Sequence, residues 1–411
     1  MRKFCVRAHR WVGLLLAGFL CVAGLTGSLL VWNDELDAAI NPAIFQADRP
    51  AADSQPIDPL ALRARLAERY PNAFVNYVPL HIEPGRITRF LLQSRPPVAG
   101  QRVPLANDQV MINPYTGVVQ GERRWGDITQ GKKNIMPFIY RLHDSLALGI
   151  VGTYTFGIVS LLWTLDCFVG AYLTFPARVR RLVGHRTGRQ WLARWRSAWG
   201  IRWRASGYKL NFDLHRAGGL WTWVMLFVLA WSSVAFNLHE VYSPVMRAIF
   251  PHQVDRVEER IRGKPQGEPG LNWVEARETG RRLMAEQAGA RGFAIFREHA
   301  LYYDARRVLF RYDVLSSLDI RERSGKTSLW FDANTGAMRL LWLPTGGASG
   351  DTARMWLTSL HMAALWGMPF KLFMTAMGMV VAMLSVTGLV IWARKRRSKR
   401  DRLRRKGMDP A

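Results

Sequence analysis

The chain has 411 residues, of which 49% are hydrophobic, and a formal net charge of +26. A chain this apolar and this basic is either a nucleic-acid binder or a membrane protein with basic edges, and the position of the charge decides between them. Residues 1–10, 176–214 and 393–411 carry 21 of the 26 net charges; each flanks a long apolar run, so the basicity is a topology signal and nucleic acid is excluded as a partner.

A short basic segment (1–10) leads into a first apolar run (11–32), long enough for the roughly 20 residues a bilayer requires. It is too long for the apolar part of a signal peptide and reads as an anchor. Residues 33–142 follow outside the membrane. They hold a helical pattern from Pro59 to Tyr70, alternation typical of strands at Arg86–Leu92 and Gln109–Asn113, and a hairpin turn at Asn113–Gly117. A second span is expected over 143–175. The basic loop 176–214 then spaces Trp191, Trp195, Trp199 and Trp203 four apart among arginines. That pattern reads as an interfacial amphipathic helix, with a docking surface for a cytosolic electron donor as the alternative.

A third span is expected over 215–238, and a second extramembrane segment over 239–360. This segment has a helical pattern at Trp273–Ala288, strand patterns at Val308–Val314 and Thr327–Phe331, and a turn at Asp332–Met338. A fourth span (361–392) and a basic tail (393–411) complete the chain. With four spans, all three basic segments fall on one side, which the positive-inside rule makes the cytoplasm. Cys5, Cys21 and Cys167 lie in cytoplasmic or spanning segments, so no disulfide is expected outside, and without Cys-x-x-Cys-His no c-type haem is attached.

The second half restates the first. His9-Arg10 with Gly13-Leu14 matches His215-Arg216 with Gly219-Leu220, Leu142-His143 matches Leu360-His361, and the turn at Asn113–Gly117 matches Asp332–Gly336. Each half is span, α+β segment, span. The expected fold is therefore a membrane protein, mainly α with α+β parts outside, built as a four-helix bundle from two parallel repeats. A twofold axis along the membrane normal sets His9 against His215 on the cytoplasmic side and His143 against His361 on the other. Two imidazoles facing across a bundle core can ligate one haem iron, so two haems are expected, one per leaflet. His239, at the outer end of the third span, competes for a place in the outer pair. Asp166, the acid inside the second span, has Leu384 as its repeat mate; it reads either as a hydrogen-bond partner of a neighbouring helix or as a proton-relay carboxylate.

These residues resemble the PepSY-associated transmembrane proteins, bacterial inner-membrane proteins that include iron-regulated ferrisiderophore reductases. The resemblance rests on His9–Leu14, Leu142-His143, Asp213–Trp221, Leu360-His361 with Gly367-Met368-Pro369, and the two turns. It implies two periplasmic PepSY-like domains, two b-type haems held by the span histidines, and electron delivery to a ferric siderophore. On that reading His9, His215, His143 and His361 are axial ligands. Arg10 and Arg216 would pair with propionates inside, and Arg141 outside. The donor would be a quinol or a cytosolic flavoprotein, and both termini would be cytoplasmic. No flavin or nicotinamide motif is present. The alternative is a haem-free accessory protein whose PepSY-like domains bind a periplasmic partner or peptidase; a transporter is a third reading, weakened because the polar residues cluster at span ends.

Overall fold

The computed structural model describes residues 1–51, 53–94, 104–176, 188–253 and 268–405. Parts of the expected basic loop (177–187), with His185, and of the tail (406–411) lie outside the described residues. Among the described residues three helices are long and apolar enough to cross a membrane, four if one bent pair counts as a single span.

The first is α1 (Arg2–Leu30), followed by the short α2 (Asn33–Ile40) and α3 (Pro42–Phe45). The amphipathic α4 (Pro59–Arg69) starts where Asp58 accepts a hydrogen bond from the Leu60 amide and Pro59 supplies a preset φ. After six strands come α5 (Ile135–Ser145) and the long α6 (Gly149–Thr174). The basic loop forms α7 (Gly188–Arg196), and α8 (Gly207–Trp221), α9 (Trp223–Asn237) and α10 (His239–Ile249) follow. A capping box of Asn272 and Glu275 opens α11 (Trp273–Arg291), which ends at Gly292. The chain closes with α12 (Ser349–His361) and the long α13 (Gly367–Arg404).

Helix α1 packs on α13 and α6, α9 on α6, and α8 on α13. Small residues allow the closest approach: a Cβ added to Gly24 would stand 2.5 Å from the Gly378 carbonyl oxygen, and the Ser28 hydroxyl donates to the Thr375 carbonyl at 2.9 Å.

Two features of the spans differ from the sequence reading. The expected third span is bent by 70° between α8 and α9. Gly218 and Gly219 weaken the helix there, and the Thr222 hydroxyl donates to the Gly218 carbonyl at 2.8 Å, which bends helices. In α1 the matching positions are Val12, Gly13 and Leu16, and the helix runs straight through. The expected second and fourth spans do not contain their histidines. His143 and His361 sit in the last turns of α5 and α12, and the long helices begin at Gly149 and Gly367, six residues later in each case. Left-handed residues make both breaks: Leu146 (φ 52°) and Ala147 (φ 56°) in the first, Ala363 (φ 50°) and Trp366 (φ 52°) in the second. Non-glycine residues held there are strained, and such strain concentrates at functional sites.

The extramembrane segments 33–142 and 239–360 do not pack as two separate domains. The strands are β1 (Ala73–Phe74), β2 (Tyr77–Pro79), β3 (Thr88–Leu91), β4 (Gln93–Ser94), β5 (Gln109–Ile112) and β6 (Val119–Arg123) in the first, and β7 (Ile295–Asp304), β8 (Leu309–Ser316), β9 (Thr327–Asp332) and β10 (Met338–Trp342) in the second. One sheet has the order β10-β9-β8-β7-β2, so a strand of the first segment completes the sheet of the second, with Val78 opposite Leu301. Pairing β2 there covers the otherwise open edge of β7. A single core results: Leu62, Leu66, Val78 and Phe90 from the first segment pack with Met284, Tyr303, Phe310 and Phe331 from the second. Arg277 on α11 bridges to the Asp58 cap of α4 at 2.8 Å. The two expected turns are present. Asn113 and Asp332 each accept two backbone amides, and Gly117 (φ 75°) and Gly336 (φ 71°) take the left-handed position.

Candidate functional site

The chain brings its four span-edge histidines together in pairs. His9 on α1 and His215 on α8 have ring centres 6.1 Å apart, and His143 on α5 and His361 on α12 have ring centres 6.2 Å apart. First-row metal bonds to imidazole nitrogen run about 2.0–2.1 Å, and the atoms of a five-membered ring lie about 1.1 Å from its centre, so two imidazoles on opposite sides of one metal have centres about 6.3 Å apart. Both separations match that spacing.

Hydrogen bonds decide which nitrogen of each ring is free. The His143 Nδ1 lies 3.0 Å from the Thr26 hydroxyl, which itself donates to the Val22 carbonyl at 2.7 Å. The hydroxyl therefore accepts from His143, and the Nδ1 carries the proton. The same arrangement holds at His361, whose Nδ1 meets the Ser232 hydroxyl at 2.7 Å while that hydroxyl donates to the Val228 carbonyl. The His215 Nδ1 donates to the Leu384 carbonyl at 3.1 Å and to the Thr387 hydroxyl at 3.0 Å. The His9 Nδ1 donates to the carboxylate of Asp166 at 2.9 and 3.0 Å. All four rings are thus held through Nδ1, the arrangement in which a neutral imidazole leaves its Nε2 lone pair to a metal. Among the described residues no hydrogen bond reaches any of the four Nε2 atoms.

Glycines on neighbouring helices make room for the rings. A Cβ at Gly27 would stand 3.0 Å from the Cε1 of His143, one at Gly388 3.3 Å from the Cε1 of His215, and one at Gly170 3.5 Å from the Cε1 of His9. The His9–His215 pair borders a cavity of about 470 Å³ between α1, α6, α8 and α13, lined also by Gly13, Trp163, Asp166 and Gly219. That is within the size range of small-molecule sites. On α1, Thr26 lies 17 residues beyond His9, a rise of about 26 Å at 1.5 Å per residue. The two pairs therefore stand near opposite faces of a roughly 30 Å apolar layer.

The profile of a family described as the PepSY-associated TM region matches residues 6–395. The chain belongs to this family. It is a membrane protein with several apolar helices, and no curated protein sequence matches it.

Within this PepSY-associated chain the remaining predicted residues fall unequally. Arg10 and Arg216 line the cavity beside His9 and His215. Arg216 is held by Asp213 at 3.1 Å and by the Ser197 carbonyl at 2.9 Å, yet its buried Nε has no partner. Arg141 is turned to backbone, donating to the Gly126 carbonyl at 3.2 Å. His239 is exposed beside Glu240 at 3.5 Å and belongs to neither pair. Outside the pairs, His81 contacts the Arg297 guanidinium and His252 the Phe250 carbonyl. Among the described residues no group of three or more His, Cys, Asp or Glu is placed to hold a metal ion.

The sequence reading missed the partners that orient the rings. Thr26 and Ser232 each lie 17 residues after a repeated histidine, His9 and His215, and that shared offset was the available signal. Asp166, which reads from the sequence either as a hydrogen-bond partner of a neighbouring helix or as a proton-relay carboxylate, has His9 on α1 as its partner.

Proposed function

We propose that this protein is a bacterial inner-membrane electron-transfer protein that binds two b-type haems, one at each histidine pair, and reduces the ferric iron of a siderophore in the periplasm. The observation that carries the reading is the pairing itself: two histidine pairs with ring centres 6.1 and 6.2 Å apart, each held through Nδ1 with no hydrogen bond at Nε2 among the described residues, which could each hold one haem iron. His9 and His215 would hold one haem and His143 and His361 the other, in a pseudo-twofold bundle of two repeats. The unpartnered Nε of Arg216, with Arg10 nearby, suits a propionate at the inner site. Haem bound in this way supplies one-electron exchange whose potential is set by its axial ligands and their hydrogen bonds.

The protein's own residues have three tasks in this scheme. Thr26, Ser232, Thr387 and Asp166 fix the ring orientations, so that no imidazole must turn or shed a proton when iron is held. The apolar walls of α1, α6, α9 and α13 would keep water from the path between the pairs. The basic ends of α1, α8 and α13 favour placing the inner pair on the cytoplasmic side, where a quinol or a flavoprotein is the donor. An open cleft of about 460 Å³ between Asp319, Glu322, Trp356 and Trp366 is the approach we assign to the acceptor; Trp366 follows His361 by five residues.

The test is to purify the protein in detergent, record oxidised and dithionite-reduced spectra, and count haem as the pyridine haemochrome. Two b-type haems per chain are expected. His9→Ala and His215→Ala should each remove one haem, and His143→Ala and His361→Ala the other. Full haem content in both inner-pair variants overturns the assignment. A colourless protein that takes up no added haemin would make it the accessory kind, with the partner bound outside the membrane.

A further inference from the structure

The four histidines are not equivalent. Three donate their Nδ1 proton to uncharged acceptors: the hydroxyls of Thr26 and Ser232, and the Leu384 carbonyl with the Thr387 hydroxyl. Only His9 donates to a carboxylate, and both oxygens of Asp166 lie within 3.0 Å of its Nδ1. The position that matches Asp166 in the second half is Leu384, whose side chain offers His215 nothing, so that histidine turns to the Leu384 main chain instead. Asp166 itself is largely enclosed, with 12% of its side chain exposed.

A carboxylate behind a metal-bound histidine makes the ring a more basic ligand, and a more basic axial ligand stabilises the oxidised metal. From this asymmetry, and resting on the two-haem reading above, we infer that Asp166 is a positioning residue that lowers the potential of the inner haem below that of the outer one. The carboxylate biases transfer outward. A single electron leaves the inner centre and arrives at the outer one, so the inner is oxidised as the outer is reduced. No bond is made or broken, and no proton is required. In the second half the matching residue is a leucine without a carboxylate, which makes the bias a property of one histidine in four.

The experiment is a spectroelectrochemical titration of the purified two-haem protein, with low-spin electron paramagnetic resonance spectra, for the wild type, Asp166→Asn and Asp166→Glu. Wild type should titrate in two waves, the lower belonging to the haem lost in His9→Ala. In Asp166→Asn that wave should rise by at least a tenfold change in its reduced-to-oxidised ratio, or about 59 mV for one electron, and its resonance should shift, while the upper wave stays in place. Asp166→Glu should return both towards wild type. If Asp166→Asn loses the inner haem, retention in Asp166→Glu at the wild-type potential supports the inference equally. Unmoved potentials in an Asp166→Asn protein that keeps both haems overturn it. So does equal loss of the inner haem from both variants, because packing alone would then explain the residue. A colourless wild type would instead end the two-haem reading on which the inference rests, a distinct result.

Discussion

The glycines beside the histidines make a graded test of the two-haem proposal, on which the haem outcomes below rest, because the space each leaves is different. A carbon pair is at its best separation at about 3.5–4.0 Å. An alanine methyl at Gly27 would sit 3.0 Å from the His143 ring, at Gly388 3.3 Å from the His215 ring, and at Gly170 3.5 Å from the His9 ring. Gly27→Ala must therefore push its ring back by roughly half an ångström or more, Gly388→Ala by a few tenths, and Gly170→Ala hardly at all. A metal bond tolerates displacements of about 0.2 Å. Overpacking of this kind costs about 1–3 kcal/mol, which at 1.4 kcal/mol per tenfold is roughly 5- to 150-fold in haem affinity. We expect Gly27→Ala near the upper end, acting on the outer haem. Gly388→Ala should fall near the lower end and act on the inner one. Gly170→Ala should leave affinity unchanged, and its melting temperature should not fall, since alanine in a helix is favoured over glycine by roughly 0.5–1 kcal/mol. Haemin titration of the apo-protein in detergent, followed at the Soret band, gives the three affinities. Equal effects at Gly27 and Gly170, or a Gly27→Ala protein that binds both haems as tightly as wild type, would refute the argument from ring position.

Three further outcomes follow from other contacts. Ser232→Ala and Thr26→Val remove the acceptors that orient His361 and His143, and each should weaken outer haem binding about 10- to 100-fold in the same titration without loss of secondary structure by circular dichroism. Asp37→Ala strands the Arg123 guanidinium, which is 1% exposed and paired to Asp37 at 2.9 Å; uncovering a buried charge costs about 3–5 kcal/mol, so a markedly lower melting temperature is expected, and an unchanged one would mean that Gln109 and the Lys133 carbonyl satisfy the arginine unaided. Burial alone would raise the Asp332 carboxyl, but Arg339 and the amides of Asn334 and Thr335 outweigh it and hold the group at about 2, below its ordinary 3.8. A depressed carboxyl contributes stability that is present above about pH 4 and lost as pH falls towards 2. Denaturant unfolding of the full chain should lose stability over that window, and Asp332→Asn should flatten the dependence.

What the linear chain determined by itself is local or repetitive. Four apolar runs, the three basic segments beside them, two glycine turns and a histidine motif stated twice are all patterns of composition and spacing. They place His9, His215, His143 and His361 at membrane edges before any coordinates are known. Folding decided whatever depends on contact between distant parts of the chain. Strand β2 is three residues ending in proline, too short to announce itself, and becomes a strand only because the edge of β7, more than two hundred residues later, offers it a partner. The break between α5 and α6 lies at the start of an apolar run, where hydropathy cannot register a left-handed Leu146. Asp166 meets His9 across 157 residues. Periodicity reports which face of an element is apolar; which polar atom on the next helix stands opposite is set by how closely two backbones approach, and here small residues such as Gly24 and Gly378 set that distance.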